Sequence, residues 1–255
     1  MHSDKRLALE AAAIAIVITT TMDAVGFSMF SALPLMGLMV VYFFRGKLNR
    51  QALSFVVGHV REYAVSLFLP ILVIATIVLI AWNIGAVNET GADWQKSRFN
   101  ILMMASTGIL MAAITEEGFF RGVLWGLLER SGSSRAETLL WTTIAFTLWH
   151  LSAILLDTGF NPPVSQVPVL ILNVGLLGYI WGGSRLLSGS IWAPAIYHSV
   201  WNALAYDLFG FGEKTGTLGI EETWLWGPEV GLIGLAANTL VAGFFFIRIR
   251  RLTSD

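Results

Sequence analysis

The sequence contains no cysteine and few charged residues. The absence of cysteine excludes disulfide bonds, thiolate metal sites and a cysteine nucleophile. Charged residues make up 13% of the 255 residues, whereas a typical soluble domain carries about 25%. Such a chain has too few charges to cover a water-facing surface. The net charge of −1 gives no indication of a nucleic-acid partner, and none is expected.

Hydrophobic residues, in contrast, make up 55% of the chain and form long runs between short polar stretches. Because a helix needs about 20 apolar residues to cross a bilayer, the pattern predicts an all-α bundle of about eight spans. The predicted spans are 7–22, 24–44, 63–86, 99–128, 136–157, 168–187, 191–209 and 228–248. We interpret residues 1–255 as one integral membrane domain with a functional core at about 99–209.

The first predicted span is the weakest, because it is short and contains Glu10 near one end. Basic residues followed by an apolar run also occur in signal peptides. No small-x-small cleavage site follows this run, and the sequence continues as Thr19, Thr20, Thr21 and Met22. We therefore favour an uncleaved first span.

The distribution of basic residues predicts the orientation of the bundle. With eight spans and a cytoplasmic N-terminus, twelve lysine and arginine residues fall on the cytoplasmic side. Lys96, Arg98 and Lys214 fall on the opposite side, and Arg121 lies within a span. This bias follows the positive-inside rule. It predicts that both termini are cytoplasmic.

Several polar residues interrupt the predicted spans. A charge near the bilayer centre costs roughly 2.5–3.5 kcal/mol on insertion scales, so these residues need a reason. They are Glu116, Glu117 and Arg121 in the fourth span, His150 in the fifth, and His198 and Asn202 in the seventh. Helix geometry places Glu116, His150 and His198 about 18, 21 and 10 Å from the cytoplasmic surface, with Asn202 close to the first two. The sequence therefore predicts one shared polar cavity, more open toward the cytoplasmic half.

Spacing along each helix assigns the faces of these residues. Glu117 and Arg121 are four residues apart, in the order that favours an ion pair. Glu116 points about 100° away from Glu117, so its carboxylate stays free for chemistry. His198 and Asn202 also share a face. A structural ion pair and hydrogen bonds between helices are the alternative interpretation.

Together these groups suit the hydrolysis of an amide bond by an activated water. A carboxylate and an imidazole can hold and deprotonate a water molecule, and a second histidine with an asparagine can donate hydrogen bonds to an oxyanion. No serine stands in a nucleophile motif with a matching base. Histidine and carboxylate are also zinc ligands, but H-E-x-x-H is absent, so the residues alone leave a metal open.

The same residues resemble the three motifs of the CAAX protease and bacteriocin-processing family, which includes the type II CAAX prenyl endopeptidases. E-E-x-x-x-R matches residues 116–121, F-x-x-x-H matches 146–150, and H-x-x-x-N matches 198–202. Each motif alone is loose, but all three are complete and in order on separate spans. The resemblance extends over roughly residues 100–205.

The resemblance implies a helical intramembrane endopeptidase in which Glu116 and His150 activate the water. It implies that His198 and Asn202 stabilise the oxyanion. Glu117, Arg121 and Phe146 would support the site. The family has been described both as metalloproteases and as glutamate-dependent proteases. We favour a site that requires no zinc. If a metal binds, Glu116, His150 and His198 are its candidate ligands.

The expected partners are the lipid bilayer and a peptide or membrane-protein substrate, which in the eukaryotic branch of the family is prenylated. Short loops are typical of prokaryotic members, so the expected location is a prokaryotic plasma membrane. Two other functions remain open. A non-catalytic immunity or peptide-binding protein would keep the same fold, and a proton-coupled transporter would use the acids and histidines as a relay.

Overall fold

A computed structural model describes residues 3–212 and 214–252. The helices are α1 (Ser3–Ala24), α2 (Leu33–Arg45), α3 (Val60–Asn83), α4 (Trp94–Ile114), α5 (Trp125–Arg130), α6 (Arg135–Leu155), α7 (Val167–Ser188), α8 (Trp192–Phe209), α9 (Thr223–Trp226) and α10 (Leu232–Leu252). A π-helical segment, Gly118–Leu124, joins α4 to α5. Short 3₁₀ turns, Ser28–Phe30 and Val164–Gln166, precede α2 and α7. Strands β1 (Gly210–Phe211) and β2 (Lys214–Thr215) pair antiparallel.

Seven helical segments are long and apolar enough to cross a membrane. They correspond to the predicted spans except 191–209. The eighth candidate, α8, has 18 residues and carries His198, Asn202 and Asp207. These polar side chains reduce its hydropathy, and the same helix packs against α3, α4 and α7. The mainly helical prediction is confirmed, whereas the count of eight spans stays a prediction.

Ion pairs and backbone contacts show which helix ends lie together. Contacts join Arg130 to Asp4, Arg248 to Glu62, and the backbone N–H of His59 to the carbonyl of Ser188. The start of α1 and the end of α10 therefore lie at one end of the bundle, which we call the terminal end. The other, the loop end, holds the 84–93, 156–166 and 210–231 segments. The cytoplasmic placement of the terminal end stays a prediction.

Helix α1 packs against α2 and α6 through a strip of small side chains. Ala8, Ala11 and Ala15 are buried on this face. The Glu10 carboxylate, which made the first span look weak, accepts hydrogen bonds from Tyr42 at 2.8 Å and Arg45 at 2.5 Å. The acid is therefore partnered by α2 rather than left alone in an apolar helix.

Local sequence signals explain where α6 and α7 begin and end. Ser134 and Glu137 form a capping box at the start of α6, each side chain bonding the backbone of the other. Helix α7 ends at Gly189, whose φ of 67° suits a residue without Cβ. On α7, Gly178 and Gly182 face α6, and a methyl group at Gly182 would collide with Leu139. These glycines let α6 approach α7 closely, and the two helices carry opposite walls of the site described next.

Candidate active site

The first two acids of the site lie where the fourth predicted span departs from a regular α-helix. The sequence predicted one helix over 99–128, but α4 ends at Ile114 and a π-helical segment follows from Gly118. Gly118 lies so close to its neighbours that an added Cβ would be 2.5 Å from the Ala113 carbonyl oxygen and 2.6 Å from the Met39 sulfur. Such π-helical turns occur frequently at functional sites.

Glu117 and Arg121 form the ion pair that their spacing predicted. Arg121 Nη1 lies 3.3 Å from Glu117 Oε1, and both side chains are 0% exposed. The guanidinium also donates to the Gly178 carbonyl at 2.9 Å and lies over the Phe146 ring at 4.3 Å. Because this pair is fully desolvated and further bonded to α7, it fixes α7 against the π-helical segment.

Glu116 points away from that pair and toward two imidazoles. Its Oε2 lies 3.8 Å from His150 Nε2 and 4.0 Å from His198 Nε2. This oxygen is buried and has no hydrogen-bond partner within the described part of the chain. The side chains of Glu116 and His150 are 18% and 25% exposed, so a small molecule can reach them. The structure thus brings together three residues, one from α6, one from α8 and one just before the π-helical segment.

The backbone determines which nitrogen of His150 carries a proton. His150 Nδ1 lies 2.9 Å from the Phe146 carbonyl oxygen, one turn earlier on α6. A carbonyl oxygen can only accept, so Nδ1 must donate. In the neutral ring Nε2 is then an acceptor, and it is this atom that faces Glu116. The backbone of residue 146 thus orients residue 150, and the Phe146 ring also lies against the His150 ring with centroids 4.3 Å apart.

His198 is held on two sides. Its Nδ1 lies 3.0 Å from Glu117 Oε1, and because Glu117 is paired with Arg121, the imidazole is the donor. The Trp181 ring stacks on the His198 ring with centroids 3.9 Å apart and an interplanar angle of 10°. These contacts leave Nε2 pointing toward Glu116. The orientation of His198 thus depends on both the π-helical segment and α7.

Asn202 lies one turn beyond His198 on the same face of α8. It is partly buried and makes no hydrogen bond to another residue of the described ranges. The predicted set therefore converges on one region, with Glu116, His150 and His198 in direct proximity. Asn202 is associated with these residues only by its position one turn beyond His198 on the same face of α8.

Comparison with protein-family models identifies the segment that carries these side chains. Residues 98–204 match the Rce1-like family. The matching model is described as type II CAAX prenyl endopeptidase Rce1-like, and the resemblance found in the motifs is confirmed. The match extends from α4 into α8 and contains all three motifs. The description of the matching family indicates an intramembrane protease. A comparison with curated protein sequences gave no match.

Four residues that sequence reasoning missed lie at this site or against the segment that carries it. Trp181 and Gly178 lie on α7, in an apolar run where nothing distinguishes them from residues that only pack. Arg185 looked like a charge at a helix end, but it is buried and donates to the Arg121 carbonyl at 3.3 Å. The fourth, Glu229, lies in the loop before α10, far from the motifs.

Glu229 approaches the Rce1-like segment from outside it. Its Oε1 accepts a hydrogen bond from Trp201 Nε1 at 2.9 Å, and its carbonyl accepts one from Asn173 at 2.7 Å. Burial raises the pKa of the Glu229 carboxyl above its ordinary value, although the Trp201 bond and the charge of His198 oppose this. No signal in the local sequence distinguishes this acid from its exposed neighbours Glu221 and Glu222.

The distances between Glu116 and the two histidines show whether these residues fit a zinc ion. Zinc binds nitrogen and oxygen ligands at about 2.0–2.2 Å, so two tetrahedral ligands lie about 3.3–3.5 Å apart. The 3.8 and 4.0 Å separations around Glu116 are longer. Within 3–212 and 214–252, no group of three or more histidine, cysteine or acidic side chains is arranged to hold a metal ion. The arrangement does not fit a preformed zinc site, and the mechanism proposed for this protein uses no metal.

Proposed function

We propose that the protein is an intramembrane endopeptidase that hydrolyses a peptide bond with an activated water. One observation carries this proposal. Glu116 Oε2 faces the Nε2 atoms of His150 and His198 and lacks a hydrogen-bond partner among the described residues. A water about 2.8 Å from each of two such atoms bridges a gap of this size.

Glu116 and His150 are proposed to activate that water. In its neutral tautomer, His150 presents an acceptor at Nε2, and an ionised Glu116 presents a second. A water between them donates one hydrogen to each, which directs an oxygen lone pair at the substrate carbonyl carbon. As the new C–O bond forms, one proton passes to this pair. The same proton is then delivered to the leaving amide nitrogen when the C–N bond breaks.

His198 and Asn202 are proposed to stabilise the oxyanion that forms on the substrate carbonyl oxygen. Since His198 donates through Nδ1 to Glu117, its Nε2 donates only when the ring is doubly protonated. The buried Glu117 carboxylate stabilises that imidazolium electrostatically. Asn202, without a partner among the described residues, supplies an amide N–H. Two such donors act on charge that develops in the transition state.

Glu117, Arg121 and Phe146 are proposed to support the site without touching the substrate. Arg121 neutralises Glu117 and contacts the Phe146 ring. Phe146 supplies the carbonyl that fixes the tautomer of His150. Their contribution is to hold each imidazole at a distance from Glu116 that one water molecule can bridge.

The proposed substrate is a peptide segment of a membrane-associated protein, processed near its C-terminus after a prenylated cysteine. This proposal rests on the description of the matching family, type II CAAX prenyl endopeptidase. It is supported by the seven helical segments that are long and apolar enough to cross a bilayer, the environment into which a prenyl chain partitions. The proposed location is a prokaryotic plasma membrane.

Cleavage of a peptide panel by the purified protein tests this function. The panel contains matched peptides with a farnesylated, a geranylgeranylated and an unmodified cysteine, and products are identified by mass spectrometry. We expect the wild type to cleave a lipidated peptide and Glu116→Gln to lose activity by about 10²–10⁴-fold. The Gln variant should melt at the wild-type temperature. Wild-type activity of Glu116→Gln would reject the assignment of the acid.

A chelator arm tests the metal requirement separately. We expect cleavage to continue after dialysis against a strong chelator, because the water is held by side chains. Loss of activity that zinc restores would assign Glu116, His150 and His198 as metal ligands instead. Binding of the lipidated peptide without turnover in any condition would favour the immunity or peptide-binding alternative.

A further inference from the structure

A cavity of about 80 Å³ lies at the loop end of the bundle, beyond the last turns of α8. Its walls are mainly aromatic and apolar and include Phe160, Tyr206, Phe209 and Val230. One water needs about 10–15 Å³, so the space holds one side chain rather than a folded segment. Neither the motifs nor the family match, which ends at residue 204, accounts for it.

Two oxygen acceptors in the lining have no donor. Gln166 is 7% exposed, and its Oε1 is buried without a partner in the described part of the protein. Its Nε2 donates to the Thr223 hydroxyl at 3.2 Å, which leaves Oε1 as the unpaired atom of this amide. The Glu229 carboxyl uses one oxygen for the Trp201 indole, and its other oxygen makes no hydrogen bond among residues 3–212 and 214–252. A buried acceptor such as Gln166 Oε1 is normally satisfied by a donor, and the lining also contains the second oxygen of Glu229.

The cavity begins one helical turn beyond the catalytic residues of α8. Tyr206, which lines the cavity, lies one turn beyond Asn202 and two turns beyond His198. One helical turn is about 5.4 Å, and an extended peptide advances about 3.3–3.6 Å per residue. A substrate whose scissile carbonyl lies at Asn202 therefore reaches the cavity within one or two residues.

We propose that this cavity is a substrate subsite that takes a side chain with an apolar stem and a terminal amine, such as lysine. This inference rests on the proposed protease function. The stem contacts the aromatic walls, where an ammonium group also gains from the ring faces. The amine donates to Gln166 Oε1 and to the Glu229 oxygen that the Trp201 indole does not use.

Two cations already near the cavity do not occupy this role. Lys214 is exposed, and its Nζ lies 5.0 Å from the centre of the Phe211 ring. No ion pair joins it to Glu229 within the described ranges. The charge of His198 acts on Glu229, but His198 bonds Glu117 through one nitrogen and faces Glu116 with the other. The acceptors in the cavity thus remain available to a ligand.

The test has a binding arm that does not need turnover. Catalytically inactive Glu116→Gln protein in detergent is titrated with fluorescent peptides that differ at one position, lysine or norleucine, scanned over two residues on either side of the scissile bond. We expect the lysine peptide to bind about tenfold or more tightly at one position. Adding Glu229→Gln should remove that preference, whereas the exposed control Glu221→Gln should preserve it.

A kinetic arm uses the otherwise wild-type protein. Glu229→Gln should raise KM for the lysine peptide by about tenfold and leave cleavage of the norleucine peptide unchanged. Equal binding of lysine and norleucine peptides at every position would overturn the subsite. An equal loss of kcat for both peptides in Glu229→Gln would also overturn it, because the acid would then act by positioning Trp201. Wild-type activity of Glu116→Gln would instead reject the protease mechanism, and the binding arm would still decide the subsite.

Discussion

Two polar clusters contact opposite halves of α8, and each contains a carboxylate, Asp207 in one and Glu116 in the other. Asp207 accepts hydrogen bonds from Ser97, from Asn100 at 3.1 Å and from Thr217 at 3.2 Å. Both of its oxygens are bonded. Glu116, contacted from the opposite half of α8, has a buried oxygen without a partner in the described residues.

This difference in hydrogen bonding distinguishes Asp207, an acid with a structural role, from Glu116, an acid available for catalysis. Short hydroxyl and amide donors close the Asp207 cluster and tie α4 to α8 and the β-hairpin. At Glu116 the neighbouring groups are imidazoles at 3.8 and 4.0 Å, too far for a direct hydrogen bond and suited to an intervening water. An unbonded buried oxygen costs stability, and a water bound between Glu116 and the imidazoles would satisfy it. The variants Arg121→Met, Asn202→Ala, Asp207→Asn and Gly118→Ala test this distinction.

The largest effect on stability is expected for Arg121→Met. The change leaves Glu117 buried without its cation, which costs about 3–5 kcal/mol. Thermal or denaturant unfolding in detergent measures it. Arg45→Met is the matched control, because the Arg45–Glu10 pair is largely exposed and its loss should change unfolding little. Equal destabilisation by both variants would show that the buried pair has no special role.

Asn202→Ala should separate catalysis from stability. We expect kcat to fall by about 10²–10³-fold, the usual cost of removing one oxyanion donor. The melting temperature should stay near the wild-type value, because Asn202 bonds no other described residue. Steady-state cleavage and thermal melting check the two expectations on the same preparation. A change in kcat below threefold would remove Asn202 from the mechanism.

Asp207→Asn should show the opposite pattern. The amide retains the shape of the carboxylate but places an NH₂ group against donors, so we expect a loss of about 1–3 kcal/mol in unfolding free energy. The kcat per folded molecule should be unchanged. Unfolding curves and active-site-normalised rates measure this. A loss of kcat as large as that of Glu116→Gln would contradict the comparison.

Gly118→Ala tests whether the close approach at the π-helical segment supports the site. The added methyl group meets the Ala113 carbonyl at 2.5 Å and the Met39 sulfur at 2.6 Å. We expect a loss of about 1–3 kcal/mol and a lower kcat, since Glu117 is the adjacent residue. Gly243→Ala is the control, because nothing lies within 4 Å of its Cβ. That variant should gain up to about 1 kcal/mol, and equal behaviour of both would refute the argument.

The parts of the site that the sequence predicted are those set by helix periodicity. The Glu117–Arg121 pair and the shared face of His198 and Asn202 follow from a spacing of four residues. Apolar runs of spanning length gave the helices, with ends shifted by a few residues where caps such as Ser134 lie outside the apolar pattern. These features depend on neighbours in the chain, which sequence contains directly.

The parts that could not be predicted depend on contacts between distant segments. The stacking of Trp181 on His198 and the bond from Arg121 to Gly178 need the packing of α7 against the site. The π-helical segment arises where Gly118 approaches Ala113 and Met39, and no local propensity marks it. Glu229 reaches Trp201 only because the loop before α10 folds inward.

The position of Ser3 and Leu252 at one end of the bundle has a practical consequence. A fluorescent or protease-sensitive reporter fused beyond either residue would emerge in the same compartment. A third reporter inserted at the exposed 89–91 segment would emerge in the other one. Comparing the three in intact cells would determine which compartment the terminal end faces.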